Sequence, residues 1–242
     1  MSTQIEQLQQ MIDESENIVF FGGAGVSTES GIPDFRSQDG LYNMKYKYPP
    51  ERIVSHSFFM ANTEEFYEFY RDKMIYPDAR PNAAHLKLAE LEKAGKLRAV
   101  VTQNIDGLHQ AAGSRNVLEL HGSVHRNYCT KCGKFYSVDY IAQADGVPVC
   151  EDCGGIVKPD VVLYEEGLDE RVISAAVSAI SQADMLIIGG TSLNVYPAAS
   201  FINYFSGDKL VVINKSDTAR SVAATLVIND PIGEVLGQIE VR

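Results

Sequence analysis

Long apolar runs are missing from this sequence. The longest of them, such as the Met185 to Gly190 stretch, fall far short of the roughly 18 residues that a membrane-crossing helix needs, so no membrane partner is expected. Positive charge is also scarce, with 21 Lys and Arg against 32 Asp and Glu and a net charge of −11. That balance disfavours non-specific attraction to nucleic-acid phosphates and suits a basic peptide better. The first 44 residues hold a single basic side chain, Arg36, so the charged start of a secretory signal is not expected either. Cysteine is absent outside residues 129 to 153, whereas a secreted disulfide scaffold spreads its cysteines through the chain. A reducing, cytoplasmic setting follows as the expectation. Internal repeats and low-complexity segments are absent as well.

What is present is the composition of a globular protein, 45% hydrophobic and 22% charged over 242 residues. This length can bury one large α/β core and carry a smaller inserted domain. Ile5, Leu8, Met11 and Ile12 recur at helical spacing, which predicts an opening amphipathic helix over residues 4–15. Continuous apolar runs follow at Ile18 to Phe21, Ala99 to Val101, Met185 to Ile188, Leu210 to Ile213 and Leu226 to Ile228. Helical patterns at Ala83 to Ala94, Glu170 to Ala183 and Ala198 to Phe205 separate most of them. Strands without polar alternation, interleaved with helices, predict an α/β fold with a parallel sheet covered on both faces.

Two stretches break the alternation. Residues 39–76 are rich in Tyr and Phe and hold two helical patterns with no strand between them, and residues 127–158 hold the cysteines and many turn residues. Both read as insertions. The expected division is a sheet domain of residues 1–38, 77–126 and 159–242, with 39–76 and 127–158 together forming a small domain.

The spacing Cys129-x2-Cys132, then Cys150-x2-Cys153, is that of a four-cysteine zinc site. Four thiolates close the tetrahedron and leave no position for water, so the metal is expected to be structural. After the first strand, Gly22-Gly23-Ala24-Gly25-Val26-Ser27-Thr28 resembles a turn that lets the backbone approach a pyrophosphate. Thr28 stands where a dinucleotide fingerprint has its third glycine, and Gly31 with Pro33 limits any following helix to about one turn. Polar clusters at Thr102 to Asp106, Gly189 to Ser192 and Asn214-Lys215 follow later strands, at the sheet edge where ligands of open α/β folds bind. His121 sits beside that edge as a candidate general base. His56, His85, His109 and His125 are read as structural.

The segments Gly23 to Arg36, Thr102 to His109, His121-Gly122 and the paired CxxC motifs occur in an order that resembles the sirtuins, the NAD-dependent protein lysine deacylases, over nearly the whole chain. The resemblance is strongest to compact bacterial members. It implies a Rossmann-type large domain, a smaller zinc-binding plus helical domain, and a cleft between them that holds NAD and an acylated lysine peptide. By motif position, Ala24, Gly25, Thr28, Phe35 and Arg36 would contact NAD, with Gln103 and Asn104 near the nicotinamide ribose and Ile105 and Asp106 receiving the carboxamide. Thr191, Ser192 and Asn214 would meet the phosphates and the adenosine ribose, and Ile232 the adenine. Val161, Val162, Leu163, Tyr164 and Glu165, with Asn194, Val195 and Tyr196, would flank the peptide in β-augmentation. The implied reaction releases nicotinamide and passes the acyl group from lysine to ADP-ribose, with His121 deprotonating a ribose hydroxyl and Asn104 assisting.

Two positions bear on substrate choice. Glu165 stands where the family usually has glycine, and its carboxylate would favour basic residues near the acyl-lysine. Sirtuins that prefer succinyl or malonyl lysine carry a Tyr-x-x-Arg pair, whereas the matching stretch here reads Tyr67-x-x-Tyr70 with Arg71 displaced by one position. Neutral acyl groups, acetyl first, are therefore expected. Protein mono-ADP-ribosyl transfer, an oxidoreductase with a structural zinc, and a non-enzymatic zinc-ribbon adaptor remain the alternatives.

Overall fold

The computed structural model describes residues 3–34, 47–215 and 223–242. Helix α1 (Thr3–Asp13) places Ile5, Leu8, Met11 and Ile12 on one buried face, as their spacing requires. Strand β1 (Ile18–Gly22) is buried at every residue. Helices α2 (Pro50–Ile53), α3 (His56–Ala61) and α4 (Thr63–Lys73) come next, then α5 (Ala83–Lys93) and β2 (Leu97–Thr102). A short α6 (Leu108–Ala112) leads to β3 (Val117–Glu119) and β4 (Gly122–Cys129). Beyond these lie β5 (Phe135–Tyr136), α7 (Val138–Gln143), β6 (Val157–Val161), α8 (Glu170–Gln182) and β7 (Met185–Gly189). The described chain ends with β8 (Lys209–Ile213), β9 (Leu226–Ile228) and α9 (Ile232–Gly237).

Six strands pair in the order β3-β2-β1-β7-β8-β9, and every pairing is parallel. The chain winds outward from β1 to one edge, returns, and winds from β7 to the other edge. This is a doubly wound, Rossmann-type order, with its reversal between β1 and β7. Alternation within β1 divides the core in two. Ile18 and Phe20 join one layer with Leu8, Leu88, Leu91 and Leu236 of α1, α5 and α9, whereas Val19 and Phe21 join the other with Ala176 and Ile180 of α8 and with Phe201 and Ile202. Truncating Phe20, which is fully buried, to alanine would cost about 3–5 kcal/mol, the usual range for a core aromatic.

The structure departs from the sequence reading in local ways. Residues 198–204 form a 3-10 helix and not an α-helix. Within 39–76 three helices are described instead of two, because Pro50 at the first turn of α2 and the Ser55 side chain capping Phe58 N split one apolar pattern. Edge strand β3, only three residues long, is too short to stand out. Strands β5, β4 and β6 form a separate antiparallel sheet, in that order, so the expected breaks at 126/127 and 158/159 fall inside β4 and β6. A second apolar cluster unites Phe58, Phe59, Phe66, Tyr67, Phe69 and Tyr70 with Tyr136, Ile141, Val157 and Leu163. Among the described residues no helix is long and apolar enough to cross a membrane.

Candidate active site

The carboxyl ends of β1, β2, β7 and β8 open into a cleft of about 950 Å3 at the reversal point of the sheet. Two loops meet there at glycines. Gly25 donates its N–H to Gly190 O at 2.8 Å, and a Cβ on Gly25 would lie 2.8 Å from the Gly190 Cα. Gly190 itself has φ +58 and no room for a side chain. After Gly23 the chain makes two 3-10 turns, Ala24–Val26 and Thr28–Ser30, and stops at Gly31 in the left-handed region. The one-turn limit read from Gly31 and Pro33 is what the structure has. Asn82, the cap of α5, anchors these turns by donating to Val26 O and Ser30 Oγ.

A chain of hydrogen bonds forms the inner end of the cleft. Ser27 Oγ donates to Asp106 Oδ2 at 2.6 Å and accepts from Asn104 Nδ2 at 3.0 Å. Because the hydroxyl spends its proton on the carboxylate, the Asn104 amide must present nitrogen to it, and Asn104 Oδ1 faces elsewhere as an acceptor. The second oxygen of Asp106 accepts from Leu108 N at 2.9 Å, and Thr102 Oγ1 accepts from Asn104 N. Gln103 Nε2 donates to Thr191 Oγ1 at 3.1 Å, joining the ends of β2 and β7. His125 Nε2–H donates to Asp106 O, and its ring fills the place a side chain on Gly107 would need. Its structural reading therefore has a specific content.

His121 lies between β3 and β4, where Gly122 at φ +77 turns the chain so tightly that a Cβ would sit 1.9 Å from Asp160 O. The His121 Nδ1 is 3.0 Å from Gln103 O. A carbonyl can only accept, so Nδ1 carries the proton and Nε2 keeps its lone pair. Burial pushes the His121 pKa below the usual 6.5, against the Gln103 bond, which acts to raise it. The ring is therefore neutral at pH 7 and able to take a proton.

Along one wall, Tyr164 exchanges hydrogen bonds with Val54 O and His56 N, and Val162 N donates to His121 O. Glu166 takes the Leu163 N–H. Three amides of the 161–165 segment are thus engaged inside the chain. Glu165 has φ +77, the left-handed conformation that a glycine adopts freely. Its carboxylate accepts from Ser57 N at 2.9 Å and Ser57 Oγ at 3.0 Å, so it is turned onto the start of α3.

The four cysteine sulfurs lie within 4.8 Å of one another. Cys129 and Cys153 Sγ are 3.4 Å apart, and Cys132 and Cys150 Sγ 3.6 Å, close to the roughly 3.8 Å edge of a tetrahedron with Zn–S bonds of about 2.3 Å. A Cβ on Gly155 would meet Cys129 Sγ at 2.8 Å, and the Lys131 and Cys132 amides point at that same sulfur. The donor set fits a zinc ion, which all four cysteines would hold with a folding role only.

Ala24, Gly25, Thr28, Gln103, Asn104, Ile105, Asp106, His121, Thr191, Ser192, Asn214 and Ile232 all line the cleft, as do residues 161–165, Val195 and Tyr196. Asn194 does not appear on its wall, and Phe35 and Arg36 fall outside the described residues. Sequence reasoning passed over Ser27, although it stands in the glycine-rich turn beside Thr28, and passed over Met74 just after α4, whereas Tyr70, singled out for acyl choice, does line the cleft.

The sequence profile of the Sir2 family matches residues 23–197. This chain belongs to the Sir2 family. An NAD-dependent protein deacetylase of Clostridium acetobutylicum is 63% identical over 235 residues, 96% of each chain, and one of Clostridium perfringens is 63% identical over 242 residues, 99% of each. A solved structure described as Sir2-p53 peptide-NAD+ superposes with a TM-score of 0.86 at 40% identity, covering 97% of this chain and 96% of the other. That solved Sir2 structure thus shares the overall fold over nearly the whole chain.

Proposed function

We propose that this Sir2 family member is an NAD-dependent protein lysine deacetylase. The observation that carries the reading is a neutral His121 with Nδ1 tied to Gln103 O, beside the Asn104–Ser27–Asp106 chain, in a cleft at the switch point of the sheet. Bound NAD would supply the ribosyl–nicotinamide bond whose cleavage makes ADP-ribose the acyl acceptor. The glycine contact of Gly25 with Gly190 supports a dinucleotide backbone there, because it removes side chains where phosphates need main-chain N–H groups.

In this reading Asp106, oriented by Ser27 and Leu108 N, accepts from the carboxamide, and Ile105 shields it from water. Asn104 presents its free carbonyl oxygen to the ribose, and Gln103 braces the same edge against Thr191. Ser192, Asn214 and Ile232 hold the adenosine half. His121 Nε2 takes a ribose hydroxyl proton once the acyl oxygen has attacked, as a base that is already unprotonated can do without delay. Phe35 and Arg36 are assigned to the cofactor on motif position alone. The acylated peptide lies along 161–165 and 194–196, and the small lobe comprises the helical and cysteine-bearing insertions. The acidic net charge supports a basic peptide and no nucleic acid, and the clustered cysteines support a cytoplasmic setting.

Incubation with NAD and an acetyl-lysine peptide tests this. Equimolar free nicotinamide and deacetylated peptide are expected. ADP-ribose covalently attached to protein, or NADH absorbance, would replace the reading with one of its alternatives, and no turnover by zinc-replete protein would remove it.

A further inference from the structure

Two parts of the cleft are joined behind its wall by one carboxylate. Glu29, in the middle of the second 3-10 turn (Thr28–Ser30), accepts the backbone N–H of Gly233, the second residue of α9, at 2.7 Å across 204 positions of sequence. An N–H in the first turn of a helix has no partner within the helix, and Glu29 supplies one. The contact is close-fitting. A Cβ on Gly233 would lie 2.7 Å from Glu29 Oε1 and 2.9 Å from its Oε2, so the carboxylate rests where only a glycine leaves space. Glu29 is not among the described residues of the cleft wall, but Thr28 and Ile232, its neighbours on either side of this bond, both are. Ile232 is buried, and its Cδ1 fills the space over Gly189 that a side chain there would need.

We propose that Glu29 is a positioning residue for the adenosine half of NAD, setting the separation between the turn that carries Thr28 and the start of α9 that carries Ile232. The inference rests on the reading of the cleft as an NAD site. Burial decides which of the two partners is held by the other. Ile232, Val235 and Leu236 anchor α9 in the main core, whereas the Thr28–Ser30 turn buries none of its residues and depends on side-chain ties for its place. Asn82 ties it to α5 through Val26 O and Ser30 Oγ, and Glu29 ties it to α9. A turn fixed before the cofactor arrives does not have to be ordered at the expense of binding. The sign of the effect separates this role from a simple field. A negative charge near a pyrophosphate repels it, so a Glu29 that acted only through its charge would weaken NAD binding, and its removal would tighten it. Positioning predicts the opposite.

Calorimetric titration with ADP-ribose tests this without turnover. Glu29→Ala should weaken ADP-ribose binding by about tenfold, the effect of one charge-assisted hydrogen bond. Glu29→Gln, whose amide oxygen can still accept from Gly233 N, should restore most of the affinity. Gly233→Ala, whose methyl would displace the carboxylate, should weaken binding by a similar factor, and adding it to Glu29→Ala should weaken it no further, because the space is then empty. In steady-state assays the loss should appear in KM for NAD, with kcat and the KM for an acetyl-lysine peptide within about twofold of wild type. A general loss of packing would move all three. Unchanged or tighter ADP-ribose binding by Glu29→Ala overturns the proposal, as does a glutamine variant as weak as the alanine or a double variant whose losses add. Absence of ADP-ribose binding by the wild type is a separate result and would fall on the NAD reading itself.

Discussion

The His121 imidazole and the Gln103 carbonyl are joined at 3.0 Å, and this single bond decides which nitrogen can act as a base. His121→Ala should lose deacetylation by at least about a hundredfold while NAD affinity stays within a few fold, because a base contributes to the chemical step and little to ground-state binding. Calorimetric titration with NAD beside steady-state kinetics separates the two. The pH profile adds a sign: the base works unprotonated, so kcat/KM should fall as pH drops through the His121 pKa, and burial places that fall below pH 6.5. An acid limb centred above 6.5 would mean that another group is the base.

Zinc content is the second expectation. One zinc per chain should be found by metal analysis, and Cys132→Ser or prolonged chelation should lower the unfolding midpoint and reduce solubility and activity together. The four sulfurs converge from the end of β4, the turn after it and the loop before β6, and without a cation four thiolates in that space repel each other. A metal-free quadruple serine variant that folds and works would defeat this reading.

Glu165 makes a prediction about stability. Its backbone is left-handed, which costs a residue with a Cβ roughly 1–2 kcal/mol relative to glycine, and its carboxylate recovers part of this through Ser57. Glu165→Ala keeps the strain and loses the two hydrogen bonds, whereas Glu165→Gly loses the bonds and relieves the strain. In urea unfolding the alanine variant should therefore be less stable than the glycine variant by about 1–2 kcal/mol. Equal stabilities would indicate that the loop relaxes to another conformation.

His85 and His109 form a buried T-shaped pair with ring centroids 4.7 Å apart. Burial pushes the His109 pKa down to about 3, with His85 adding to the effect, and burial likewise lowers His85 against the field of Asp106. Both folded values lie below the unfolded value of about 6.5. Stability should then be complete above pH 6.5 and should decline as pH falls from there, by about 1.4 kcal/mol per unit for each histidine. Urea titrations between pH 7.5 and 5 measure the slope. A flat profile over that range would show that the pair is hydrated and not desolvated.

The sequence alone determined whatever depends on neighbours along the chain. The core strands follow from uninterrupted apolar runs such as Met185 to Ile188, α1 from its four spaced apolar residues, the short turn after β1 from Gly31 and Pro33, and the metal site from two CxxC pairs. Motif order was enough to reach the family. Only the tertiary structure decided matters that depend on groups distant in sequence. Ser27 finds Asp106 across 79 residues and Gln103 finds Thr191 across 88, and neither pairing has a periodicity that could announce it. Strand β5 has only two residues and β6 carries a proline, and both pair with β4 where the cysteine loops bring them together, so their pairing is a consequence of closure and not of local propensity. Tyr67 and Tyr70 lie three residues apart on one helix, yet one hydroxyl meets Val157 O and the other has no hydrogen-bond partner among the described residues. That difference comes from what packs against α4, because hydrogen-bond satisfaction is set by the three-dimensional surroundings of an atom and not by the residue that carries it.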